Sequence, residues 1–226
     1  MTQSYRIERA RTTPELKGLW EGPAWGRAPA LAVSNFHPRS LSRHPKTEAK
    51  AVYTADAVYV HFQVNDAHVY CVHQNPQDSV CRDSCVEFFV KPRADKGYFN
   101  FEINCGGTML LYYIWDQSIQ PGGGGFNGRE SVAPEWFDQV TIYHSMPRRV
   151  DPPVAEPTTW RIEFRIPRAV LEHYVGPLGD FAGQTWRANF YKCGGDTAFD
   201  HWVAWSPVEI LNFHQPDKFA PIAFEP

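Results

Sequence analysis

Tyr98-Phe99-Asn100-Phe101-Glu102-Ile103-Asn104 is the stretch whose reading decides the fold. In an extended chain, successive side chains point to opposite faces. Phe99, Phe101 and Ile103 therefore share one side, and Tyr98, Asn100, Glu102 and Asn104 the other. A helix would spread those three apolar residues around its axis. Gly106-Gly107 follows, and then Met109–Trp115, a second strand-prone run. Two glycines between two such runs predict a hairpin, because they accept the backbone angles of a tight turn.

The same alternation recurs on both sides of this hairpin. In Cys85–Lys91, Val86, Phe88 and Val90 fall on one face with Glu87 opposite. In Ala57–Asn65, Val58, Val60, Phe62 and Val64 oppose Tyr59, His61 and Gln63. Thr159–Ile166 turns Trp160, Ile162, Phe164 and Ile166 inward, and Thr185–Cys193 does so with Trp186, Ala188 and Phe190. Gln139–His144 reads as a further strand. Strands with one apolar face belong to antiparallel sheets, and no β–α alternation predicts a parallel one. A single short helix is expected over Arg168–Tyr174, with Pro167 at its first position and Gly176 at its end. The prediction is an all-β chain: an antiparallel β-sandwich with one short helix. It forms a single domain over residues 1–226, with residues 1–45 as an irregular segment packed on it. Gln120–Glu135, which carries Gly122–Gly125, and the Pro-rich Met146–Pro157 read as long irregular crossings able to wall a ligand site. No Lys-Ser/Thr follows the glycines, so they are not a phosphate loop.

Composition narrows the function. The 226 residues carry 22 Lys+Arg against 25 Asp+Glu, a net charge of −3. A general nucleic-acid binder needs a basic face, so that class is not expected. No apolar stretch reaches membrane-spanning length. The N-terminus lacks the apolar core of a signal peptide, which predicts a cytoplasmic protein, with secretion after processing as the alternative. The five cysteines are odd in number, lack zinc-finger spacing and read as free thiols. The aromatic fraction of 15%, with 8 Trp, suits either a β-rich core or platforms for sugar rings.

Motifs for covalent chemistry are missing. The sequence has neither a Gly-x-Ser-x-Gly elbow nor a His-Glu-x-x-His zinc motif. What recurs is a set of polar residues facing away from the apolar sides: Glu87, Asn100, Glu102, Asn104, Arg161, Glu163, Arg165, Arg187 and Asn189. Two readings stay open for it. Such side chains hydrogen-bond adjacent sugar hydroxyls, and they also form ordinary ion-pair lattices on sheets. Asp66 and Asp83, at strand ends, are either turn residues or weak candidates for Ca²⁺.

Four segments resemble the family 9 carbohydrate-binding modules, in particular the stand-alone family 9-like branch. They are Val58–Asp66, Asp83–Val90 with Tyr98–Gly106, Trp186–Tyr191, and Trp205-Ser206-Pro207 with Phe213–Phe219. The resemblance runs from about Val52 to Phe224. It implies a sandwich of jelly-roll character that binds a mono- or oligosaccharide without catalysis. It also implies two Trp rings enclosing the sugar, polar side chains around them, and in some members a structural Ca²⁺ but no other cofactor. Carried over to this chain, Glu87 matches a carboxylate that faces the cleft. Asn104, Arg187 and Asn189 match the polar positions beside it, Glu102 of the polar sheet face joins them as a ligand-binding candidate, and Trp115, Trp202 and Trp205 are candidate plates. Trp160 and Trp186 are core residues by strand pattern; Trp20 and Trp25 fall in the N-terminal segment and Trp136 in a loop. Two alternatives accompany this reading. One is a glycoside-acting enzyme using Glu87 and Glu102 with Arg187. The other is a haem-binding electron-transfer module using Met109 and His61.

Overall fold

The computed structural model describes residues 3–40, 44–120 and 125–226. Its first strands are β1 (Tyr5–Arg9), β2 (Leu31–Val33), β3 (Asn35–Phe36), β4 (Lys46–Tyr53), β5 (Ala57–Asp66) and β6 (Val69–Cys71). β7 (Cys85–Lys91), β8 (Tyr98–Asn104), β9 (Met109–Leu110), β10 (Tyr112–Ile119) and β11 (Phe126–Ser131) follow, then a single-turn helix α1 (Pro134–Phe137). The chain continues with β12 (Thr141–His144), β13 (Val150–Val154), β14 (Thr158–Pro167) and helix α2 (Arg168–Val175). It closes with β15 (Thr185–Gly194), β16 (His201–Ala204) and β17 (Ala220–Phe224).

The strands form two layers. One runs β11-β10-β8-β7-β15-β17-β1 and the other β1-β4-β5-β14-β12. β1 joins them: Tyr5–Ile7 pair with Ile222–Phe224, and Glu8 and Arg9 with Val52 and Tyr53, both in parallel. The other pairings are antiparallel. β1 is thus the exception to the expectation drawn from alternation alone. The apolar faces read from the sequence meet between the layers. Phe62 of β5 lies 5.9 Å from Phe190 of β15, and Phe101 of β8 lies 6.1 Å from Phe164 of β14. Trp160 and Trp186 are buried in this core. Each such ring contributes about 1.5–3 kcal/mol of burial free energy, which fixes both registers.

Several expectations are corrected. Residues 1–45 are not irregular throughout: those described supply β1, β2 and β3. Met146–Pro157 contains β13, an edge strand whose Pro152 and Pro153 lie between its two pairings with β6. Gln120–Glu135 contains β11 and the first two residues of α1, and Trp136 lies in α1 rather than in a loop; Gly122–Gly124 lie outside the described residues. Pro167 ends β14 as the N-cap of α2, one position ahead of the expected one.

The faces read as outward are largely buried too. Tyr98, Asn100, Glu102 and Asn104 are 1%, 2%, 5% and 0% exposed. A second apolar cluster explains this: Phe213 and Phe219 of the C-terminal segment cover Phe89, Tyr98 and Tyr191. On the far layer, Trp25 and Ala28 cover Val52 and Tyr59. Each sheet is therefore roofed by a non-repetitive segment. The haem alternative fails on this geometry. Met109 belongs to the core between the layers, whereas His61 lies under Trp20 and Trp25 on the far layer's outer side.

Candidate functional site

A cleft of about 300 Å³ opens on the outer side of the β7–β8–β15 region, at the small end of the range for small-molecule sites. Its floor comes from Glu87 of β7 and Glu102 of β8, which stand directly opposite each other in the ladder. Cys193 of β15 continues the floor, and Trp202 of β16 borders it. Cys81 and Arg82 form one wall, with Leu211, Asn212, Phe213 and His214 as the other.

Both walls are anchored by the end of β15 and by the sheet. Gly195 and Asp196 donate their amides to the carbonyls of Cys81 and Arg82, at 3.2 and 2.8 Å. Tyr191 stacks on Phe213 at 4.1 Å and donates its hydroxyl to the Phe213 carbonyl at 3.0 Å. The His214 ring lies 2.9 Å, Nδ1 to OH, from Tyr98. The loop is fixed further back by Asn189, whose amide donates to the Ser206 carbonyl at 2.9 Å while its Oδ1 accepts the Ser206 amide at 2.8 Å.

Burial dominates the electrostatics. It holds the Glu87 carboxyl well above the usual carboxylate range, helped by the neighbouring Cys193 and Glu102. It pushes Glu102 up to about 7, against the hydrogen bond that Asn100 Nδ2 donates to Oε1 at 2.8 Å. Burial, with Arg129 nearby, lowers His214 to about 4, so its ring is neutral at pH 7. Burial thus favours the protonated form of both floor carboxyls, and a protonated carboxyl donates a hydrogen bond as well as accepting one.

Of the residues singled out in the sequence, Glu87, Glu102 and Trp202 are brought together here. Asn104 instead donates to Asp83 Oδ2 and to the His73 carbonyl, each at 2.8 Å, and accepts from the Thr108 amide. Asn189 is the clamp on Ser206. Arg187 is exposed and pairs with Lys91, four positions along β15 from the partner of Glu87, or roughly 13 Å at strand spacing. Trp205 is buried in the core against Tyr5 and Phe190. Trp115 is 54% exposed and stands over Gly128 on the β10–β11 edge, where a Cβ would lie 2.4 Å from its Nε1. Arg161, Glu163 and Arg165 lie on β14, in the other layer. The polar set is therefore split between two sheets.

Neither aspartate offers a hard cation a set of free oxygens. Asp83 is fully buried, accepts the Val72 and His73 amides and Asn104 Nδ2, and lies 3.0 Å from His73 Nδ1. Asp66 faces the buried ammonium of Lys192 at 3.4 Å. A second cleft, about 340 Å³, sits under residues 12–25 against Glu163. The Glu163 oxygens there already accept the Gly18 amide at 2.7 Å and Trp25 Nε1 at 2.9 Å, so few polar groups remain for a ligand.

The sequence reading passed over Cys81, Arg82, Cys193 and the Leu211–His214 wall as site residues. Phe213-His214 stood in a recognised motif, but nothing in a one-dimensional pattern shows that it folds back over Glu87.

The model of carbohydrate-binding family 9 matches residues 26–224. No curated protein matches the chain. A candidate carbohydrate-binding protein from Bacteroides uniformis superposes with a TM-score of 0.84 at 25% identity, covering 100% of both chains. A family 9 module from Caldicellulosiruptor kristjanssonii bound to cellotriose gives 0.63 at 13% identity, over 99% of this chain and 94% of that one. A module from the same organism bound to glucose gives 0.61 at 14%, over 97% and 95%.

Proposed function

Because the chain belongs to carbohydrate-binding family 9, we propose that it binds a mono- or oligosaccharide in the Glu87–Glu102–Trp202 cleft and does no chemistry on it. The observation that carries this reading is the pairing of two buried carboxyls beside a half-buried indole. Sugar hydroxyls are both donors and acceptors. Two buried carboxyls, each pushed toward the protonated form, answer both needs. The Trp202 ring supplies an apolar face for the C–H side of a pyranose. The neutral His214 and the exposed Arg82 add polar atoms at the rim.

A glycosidase needs one carboxyl protonated and its partner ionised at working pH. Here burial raises both, and Arg187, the third residue of the enzyme alternative, lies roughly 13 Å along β15 from the partner of Glu87. The reading involves no cofactor.

Calorimetric titration against a glycan panel that starts with glucose and cellotriose tests the proposal. The expected result is saturable heat with a change in Trp fluorescence, and no reducing sugar released on long incubation. Silence across the panel would remove the binding reading, and released sugar would replace it with the enzyme.

A further inference from the structure

Beneath the cleft, three metal-competent side chains meet. Cys85 and Cys193 are directly opposite in the β7–β15 ladder, and Glu87 is the next residue on the same face of β7. Their sulfur atoms and a Glu87 carboxylate oxygen all lie within 4.8 Å of one another. All three residues are nearly inaccessible, at 0%, 1% and 2% exposure. Cys193 Sγ is 3.1 Å from Glu87 Oε1. A tetrahedral zinc ion keeps its sulfur and oxygen ligands roughly 3.3–3.8 Å apart. The observed 3.1 Å contact and the 4.8 Å limit bracket that spacing, so rotamer-scale movement would close the set on an ion.

We propose that Cys85, Cys193 and Glu87 bind a borderline-soft divalent cation of the Zn²⁺ class, with one coordination position open to the cleft. Two sulfurs select such an ion over Ca²⁺ or Mg²⁺, which prefer all-oxygen shells. The set supplies three protein ligands, the number found where a fourth position is left for water or a ligand atom. Glu87 and Cys193 line the cleft while Cys85 lies behind them, so the open side faces the sugar site. On binding, the thiol protons and any carboxyl proton pass to buffer as metal–sulfur and metal–oxygen bonds form. The other buried polar clusters do not compete. Cys71 and Cys105 are a thiol pair whose neighbouring carboxylate, Asp83, is already taken up by the Val72 and His73 amides and Asn104, and Asp66 with His201 already holds the Lys192 ammonium.

The metal site shares Glu87 with the sugar reading but does not depend on it. The test uses the reduced, chelator-stripped chain titrated with Co²⁺, then with Zn²⁺ in competition. The expected result is a single equivalent bound, with sulfur-to-cobalt charge transfer in the near ultraviolet and intense visible bands of four-coordinate cobalt. Cys193→Ser and Cys85→Ser should each weaken binding by more than about 100-fold, because a thiolate ligand is lost. Cys71→Ser, remote from the set, should keep the bands. If a serine variant fails to fold, the unaltered chain still decides. Zn²⁺ should raise its thermal midpoint, and Ca²⁺ or Mg²⁺ at equal concentration should not. Absence of the sulfur-to-cobalt band, or its survival in both serine variants, overturns the proposal; the cluster is then only a hydrogen-bonded thiol network. Glu102→Gln separates the two readings, because it should lose sugar affinity while cobalt uptake persists.

Discussion

Replacing His61 by Phe should stabilise the protein, and more so in acid. His61 sits on the outer side of β5 with 0% exposure, between Lys50 of β4 and Glu163 of β14 in the ladder. The Trp20 and Trp25 rings close over it edge-on at 5.0 and 5.2 Å. Neither ring nitrogen has a hydrogen-bond partner among the described residues. Glu163, the carboxylate beside it, is engaged by Gly18 and Trp25. Burial, with the Arg161 and Lys50 charges adding, lowers its pKa from 6.5 to about 3. The sign follows. The folded pKa lies below the unfolded one, so stability is complete above about 6.5 and falls as the unfolded chain takes up a proton that the native state refuses. Between pH 7 and 5 this costs about 2 kcal/mol. At pH 7 a buried, unpaired imidazole already costs on the order of 1–3 kcal/mol, part of which the larger phenyl ring gives back in packing strain. Phe should therefore gain about 1 kcal/mol at pH 7 and about 2 kcal/mol more at pH 5. Urea unfolding followed by Trp fluorescence at both pH values measures the difference. An advantage that does not widen in acid would mean that His61 is protonated or hydrated in the native state, and the reasoning would fail.

Other substitutions probe the supports of the cleft. Asp83→Ala strands the Val72 and His73 amides and Asn104 Nδ2, and should cost about 3 kcal/mol or more in urea unfolding. Asn189→Ala frees Ser206 and the wall it anchors; calorimetry should show weakened sugar binding with a stability loss of about 1–3 kcal/mol.

Much of the sandwich was legible because the strands state their own period. Phe99, Phe101 and Ile103, or Val58 to Val64, can satisfy one buried face in only one way, and they do so here. The outer faces were not legible. The segments that roof them have no period of their own, and whether Asn104 and Asn189 look outward to solvent or inward to a clamp depends on what lies above. Residues of one chemical type were thus given one role. Asn104 proved to tie the Asp83 turn, Asn189 to tie Ser206, and Trp205 to fill the core. Glu87 and Glu102 became a pair only once the β7–β8 register set them opposite each other. The Cys85–Cys193 juxtaposition depends likewise on pairing across more than a hundred residues, which spacing in the chain cannot reveal. β1 escaped the antiparallel rule because its five residues are divided between two sheets.

The location of the sugar is the central claim, and amide chemical-shift mapping tests it most directly. Titrating the isotope-labelled chain with the tightest sugar of the panel should move the amides of Glu87, Glu102, Cys193, Trp202 and His214. It should leave those of Trp115, Arg187 and Trp25 in place. Shifts centred on the Trp115 edge or on the Trp25 cleft, with the Glu87–Glu102 floor unmoved, would contradict the account.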